Sequence, residues 1–79
     1  MKLLVRNLDR LTTEEELEDI FSEFGEIEYC TVVMDPKSGS SKGFGFIEMP
    51  RSSEANAAIK NLHYKTIGRN KIRVKTTKK

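Results

Sequence analysis

The chain holds one cysteine and two prolines among 79 residues, and no apolar run exceeds three residues. A lone Cys30 excludes an internal disulfide and a multi-cysteine metal site, and it suits a reducing compartment. The N-terminal Leu3, Leu4 and Val5 are too few for a signal-peptide apolar region or a membrane span. The expectation is therefore an intracellular, cytoplasmic protein without a membrane partner. The single histidine, His63, has no cysteine or acid at metal-ligand spacing, so no metal is expected and His63 reads as a helix-end residue. No nucleophile, base and orienting group can be assembled, so neither an enzyme nor a small-molecule substrate is expected. The GFG at 43–45 lies inside a strand pattern rather than at a strand-to-helix turn, and Glu48 stands where a dinucleotide fingerprint needs its third glycine. No cofactor is implied.

Acids are missing from one region. Between Lys60 and Lys79 there are eight Lys or Arg and no Asp or Glu. Residues 1–41 carry four basic and ten acidic side chains (−6), whereas residues 42–79 carry ten basic and two acidic (+8), so a net charge of only +2 hides a polarised chain. The apolar share of 37% and charged share of 33% are those of one ordinary globular domain with a small core, without repeats or low-complexity segments.

KLLVRNL at 2–8 reads as a short strand. Thr13 and Glu16 form a Thr-x-x-Glu capping box, and Leu17, Ile20, Phe21 and Phe24 fall at i, i+3, i+4 and i+7 on a helix ended by Gly25. A second strand covers about Ile27 to Met34, with Cys30 and Val32 inward and Tyr29, Thr31 and Val33 outward. It stops at the turn formers DPKSGSS. KGFGFIEM at 42–49 is the third strand, closed by Pro50. A second helix, capped near Ser52 or Ser53, carries Ala55, Ala58, Ile59 and Leu62 on one face. After a loop from His63 to Asn70, with a short extended piece near Tyr64 to Thr66, the last strand is Lys71 to Lys75.

The element order β-α-β-β-α-β defines an α+β, ferredoxin-like split βαβ arrangement with a four-stranded antiparallel sheet. Two helices of this length cover one face of such a sheet and leave the other open. Strand alternation sends Leu3, Val5, Cys30, Val32, Ile47, Met49, Ile72 and Val74 inward. It sends Leu4, Arg6, Lys42, Phe44, Phe46, Glu48, Lys71, Arg73 and Lys75 outward. The reversed phase would bury Lys42 and Glu48 without partners. Gly43 and Gly45 are expected to let the helices approach the sheet closely. Aromatics interleaved with cations on an open sheet describe a stacking platform for unpaired bases, with Lys and Arg meeting phosphates.

KGFGFIEM resembles the eight-residue signature of the RNA-recognition motif (RRM) family. LLVRNL at 3–8 resembles the family's six-residue motif, and LEDIFSEFG, DPKSG and GRNKIRV fall where an RRM has them. The resemblance implies the sheet order 4-1-3-2, a domain over 1–76, a basic tail at 77–79 in which Lys78 and Lys79 need not be ordered, and binding of single-stranded RNA. It gives Phe46 the role of stacking on a base, Phe44 that of packing against sugars or between nucleotides, and Lys42 that of pairing with phosphate. Arg6, Asn7, Lys71, Arg73 and Lys75 complete the expected surface. Leu4 stands at the position of a third stacking aromatic, so one stack is lost, and Tyr29 on the neighbouring strand is the candidate substitute. Met49 replaces the motif's last aromatic and by parity belongs to the core. As a lone module, expected to be monomeric, the chain resembles small stand-alone bacterial RRM proteins. Single-stranded DNA is a further expected ligand, because stacking does not distinguish the two. Two competing readings remain. One is a protein-interaction module that uses the sheet or the acidic EEELED helix. The other is a small acylphosphatase-like hydrolase, for which Arg6 and Asn7 are the only hints.

Overall fold

The computed structural model describes residues 1–77. The first strand, β1 (Lys2–Arg6), buries Leu3 and Val5 completely and turns Lys2, Leu4 and Arg6 to the opposite face. It ends at Asn7, whose backbone is left-handed (φ 61°). Asn tolerates this region better than most residues, and its side-chain amide donates to the Lys71 carbonyl at 2.8 Å.

Helix α1 (Glu14–Ser22) opens on the expected capping box. The Glu16 N–H donates to Thr13 Oγ1 (3.1 Å), and the Thr13 N–H donates to Glu16 Oε1 (3.0 Å). Leu17 and Phe21 are fully buried, with Ile20 and Phe24 leaning on the same core. The helix closes at Ser22, three residues before Gly25. Strand β2 (Tyr29–Met34) is shorter than the sequence suggests, because Ile27 packs on the core from the connecting segment and only Glu28 makes a backbone bond toward the sheet, to the Glu48 carbonyl. Strand β3 (Ser41–Glu48) follows.

Helix α2 (Ser52–Leu62) buries Ala55, Ala58 and Leu62. Its start corrects the expected serine cap: Arg51 occupies the cap position without a side-chain cap bond, and both serines lie inside the first turn. Glu54 stabilises this end instead, pairing with Arg51 (3.6 Å) and accepting from the Glu26 N–H (3.1 Å).

The expected last strand is divided. A hairpin of β4 (Thr66–Ile67) and β5 (Asn70–Lys71) precedes β6 (Arg73–Thr76). Ile72 bonds backward, its carbonyl accepting from the Tyr64 N–H and its amide donating to the Lys65 carbonyl. Lys71 therefore belongs to the hairpin and not to the main sheet. Thr77 closes the described chain by bonding Lys2, and Lys78 and Lys79 of the expected tail lie outside the described residues.

The main sheet has the order β2-β3-β1-β6, with antiparallel neighbours throughout, as expected. One core cluster unites Leu3, Val5, Ile47 and Val74 of the sheet with Leu17, Phe21, Ala58 and Leu62 of the helices. Each outer edge has a backbone amide taken by a side chain. Val32 N–H donates to Glu14 Oε2 (2.9 Å), and Val74 N–H donates to His63 Nδ1 (3.0 Å). His63 indeed ends its helix.

The glycines do not serve the purpose expected of them. A Cβ at Gly45 would lie 2.3 Å from the Thr31 carbonyl oxygen, so Gly45 makes room for strand β2 rather than for a helix. Gly43 has a left-handed backbone (φ 85°) and faces Leu8 and Arg10 of the β1–α1 loop. Gly45→Ala is expected to cost roughly 1–3 kcal/mol, as overpacking does, measured by urea unfolding; an unchanged midpoint contradicts the contact.

Cys30 is half-buried beneath α1, with its Sγ donating to the Glu14 carbonyl (3.7 Å). Burial, with the nearby Glu14 and Glu18 carboxylates, pushes its thiol up to about 11. The unfolded thiol ionises near 9.0, so folding loses stability as pH rises from there toward 11. Iodoacetamide alkylation of the native protein should therefore have its pH midpoint near 11, and a midpoint near 9 shows an unperturbed thiol.

Candidate nucleic-acid interface

The open face is organised in cross-strand rows. Register places Arg73, Arg6 and Phe44 side by side in one row and Lys75, Leu4, Phe46 and Thr31 in the next. Lys2, Glu48 and Tyr29 form a third. Neither phenylalanine belongs to the buried core, whereas Ile47 between Phe46 and Glu48 is fully buried.

The two rings meet edge to face, with centroids 6.1 Å apart and planes at 88°. Each thus holds its neighbour while leaving aromatic surface toward solvent. Lys2 Nζ sits 4.8 Å from the Phe46 centroid, a cation–π distance. Leu4 lies directly across from Phe46, so the apolar surface continues as an aliphatic ledge where the motif would have a ring. Tyr29 is 44% exposed on the edge strand.

Among the described residues the ion pairs are the N-terminal amine with Glu48 and Arg51 with Glu54. Arg6, Lys42, Arg73 and Lys75 have no acidic partner there. Arg6 and Arg73 are direct cross-strand neighbours of like charge, an arrangement that destabilises a sheet unless an anion intervenes. The face can therefore present flat apolar rings beside uncompensated positive charge, the two features that a stacked base and its phosphate require.

Of the residues singled out in the sequence, the structure gathers Leu4, Arg6, Phe44, Phe46, Arg73 and Lys75 into two adjacent rows, with Lys42 at the start of β3 and Tyr29 at the far edge. Asn7 lies at the end of β1 and is occupied in part with tying Lys71 down. Lys71 stands apart in the hairpin, a correction to its expected place on the sheet. Lys2 and Thr31 share the face. Lys2 was legible from the parity of Leu4 and Arg6, two and four residues on.

The chain belongs to the RNA recognition motif family, which residues 3–73 match. It is 43% identical over 68 residues, 86% of its length, to polyadenylate-binding protein 4 of Arabidopsis thaliana, of which it spans 10%. It superposes with TM-score 0.94 on RNA binding protein PG1, at 32% identity, covering 98% of this chain and 93% of that one. It also superposes on a Sxl-lethal protein/RNA complex with TM-score 0.93, at 28% identity, covering 99% of this chain and 47% of that one. The chain spans between 10% and 54% of the curated relatives named among its matches. Those relatives are plant proteins, and the expected likeness to small bacterial proteins finds no support among them.

The like-charge row makes a stability prediction of its own. Arg73→Glu should raise the unfolding free energy by roughly 0.2–1 kcal/mol, the size of a cross-strand charge pair, in chemical denaturation at low salt. A loss of stability means that the two arginines do not repel.

Proposed function

We propose that this chain is a non-enzymatic, cofactor-free module that binds single-stranded RNA on its open sheet face. The observation that carries the reading is the pair Phe44 and Phe46, held out of the core beside cations with no acidic partner among the described residues. The family match and the likeness to RNA binding protein PG1 support it. Phe46 takes a base by stacking, with Leu4 extending the surface by apolar contact, and Phe44 packs against the neighbouring sugar. Lys42, Arg6, Arg73 and Lys75 meet phosphates, while Tyr29 offers a ring at the β2 edge. Asn7 acts by fixing the end of β1, and Lys71 reaches the ligand from the hairpin. About two to four nucleotides fit across the central strands. Single-stranded DNA competes by the same stacking, a monomer suffices for binding, and the single thiol suits the cytoplasm.

A second reading, docking of a protein partner beside acidic α1, is favoured by one observation. Leu11 (79% exposed) and Met34 flank a groove of about 350 Å³ between the β1–α1 loop and the end of β2. NMR shift mapping separates the two, since RNA should perturb the β1 and β3 amides and a peptide those of α1 and β2.

In fluorescence-anisotropy titrations with unstructured RNA oligonucleotides, Phe46→Ala should lose roughly 1–3 kcal/mol of affinity, the worth of one stacked base, and Leu4→Phe should gain affinity. The log-log salt slope of the parent should be about −3 for four phosphates at about −0.7 each. Folded Phe44→Ala and Phe46→Ala variants that bind like the parent end this reading.

A further inference from the structure

The rows of the open face continue at one end into a second group of unpaired cations, to which Arg10 is added. Where β1 ends and β3 begins, a polar cleft of about 360 Å³ is lined by Arg6, Asn7, Arg10, Lys42, Phe44 and Asn70. Three of these are cations, none in an ion pair among the described residues. Like charges converging on one cleft raise the free energy of the empty protein and attract an anion.

The cleft is built from parts distant in sequence and fixed in place. The Leu8 N–H donates to the Gly43 carbonyl (2.8 Å), which ties the β1–α1 loop to the start of β3. The Gly43 N–H in turn donates to Ser41 Oγ (3.0 Å). The Arg10 Nε lies 3.5 Å from where a Cβ at Gly43 would stand, in ordinary van der Waals range, and the left-handed backbone of Gly43 (φ 85°) sets the course of the strand there. Arg10 thus lies beside the strand that carries Phe44.

The acid adjacent to Arg10 in sequence does not neutralise it. Asp9 accepts from the Leu11 N–H and the Arg69 N–H, both at 3.0 Å, and these bonds hold its carboxyl below the usual range. Its carboxylate faces Gly68 and Arg69, away from the cleft. Asn70 comes from the hairpin, and its side chain makes no hydrogen bond among the described residues, so its amide is free to donate. The Asn7 amide, which bonds the Lys71 carbonyl, secures the neighbouring backbone.

We infer that this cleft is a phosphate seat of the RNA path, in which Arg10 and Asn70 hold the backbone phosphate one nucleotide beyond those resting on Phe44 and Phe46. The inference rests on the RNA reading above and deepens it. The ligand class follows from position: the cleft is lined by Phe44 itself, so a strand stacked on the rings carries its next phosphodiester into it. Guanidinium and amide donors on two sides of an oxyanion are the groups that fix a phosphate.

The test uses the full chain with a uridine dinucleotide and a longer oligouridine, titrated by anisotropy across salt concentration. Arg10→Gln should weaken the longer RNA about tenfold, the loss of one charge-assisted contact. Its salt slope should become shallower by about 0.7, while the dinucleotide, too short to reach the cleft, binds as to the parent. Asn70→Ala should weaken the longer RNA without changing the slope, and Arg10→Lys should keep the slope. Arg10 is exposed, so thermal unfolding of the variants should match the parent. If Arg10→Gln leaves affinity and slope unchanged for the longer RNA while Phe46→Ala weakens both ligands, the seat is wrong and the stacking platform stands. If Phe46→Ala also binds like the parent, both fall together.

Discussion

Five consecutive residues of β1 lie against five of β3, from Lys2 opposite Glu48 to Arg6 opposite Phe44. On one face of this pairing Leu3, Val5 and Ile47 are wholly removed from water, and the same register leaves Leu4, Phe44 and Phe46 on the other. A slip of one residue would exchange the two sets. It would expose the aliphatic core and carry Lys42 and Glu48 under the helices. Burial on the covered face thus holds the aromatic pair out on the open one. Each ring forgoes part of the roughly 1.5–3 kcal/mol that full burial of a large apolar side chain provides. The edge-to-face contact between the two rings and the Lys2 ammonium over Phe46 recover some of that loss.

Charge follows the same division. The acidic half of the sequence supplies α1, where Glu14, Glu15 and Glu16 sit in the first turn at the positive end of the helix dipole. The basic half supplies β3, the hairpin and β6. Few of the acids reach the cations of the open face, where Glu48 is engaged by the N-terminal amine. The result is a module with one negative side and one positive side joined through a thin core.

Much of this was legible in the sequence because it depends on periodicity. The parity of Lys42, Phe44, Phe46 and Glu48, the apolar stripe from Leu17 to Phe24, and the Thr13–Glu16 box are local patterns whose consequences extend only a few residues. What escaped depends on contacts between distant segments. Lys71 has the parity of a sheet residue, but Ile72 bonds back to Tyr64 and Lys65 and pulls it into a hairpin. Gly45 faces a neighbouring strand whose distance no alternation encodes. Ser52 looks like a cap until Glu54, tied to Arg51 and Glu26, fixes where the helix starts. Arg10 and Asn70 meet across a cleft although the whole of both helices lies between them in the chain.

The two borrowed side chains at the margins of the sheet have a further effect. Glu14 takes an amide of β2 and His63 one of β6, so neither border presents an uninterrupted ladder to an incoming strand. The protein can therefore keep a broad, sticky plane uncovered without inviting lateral fusion of neighbouring copies. Crowded side by side, such molecules are expected to stay separate beads rather than merge into a ribbon.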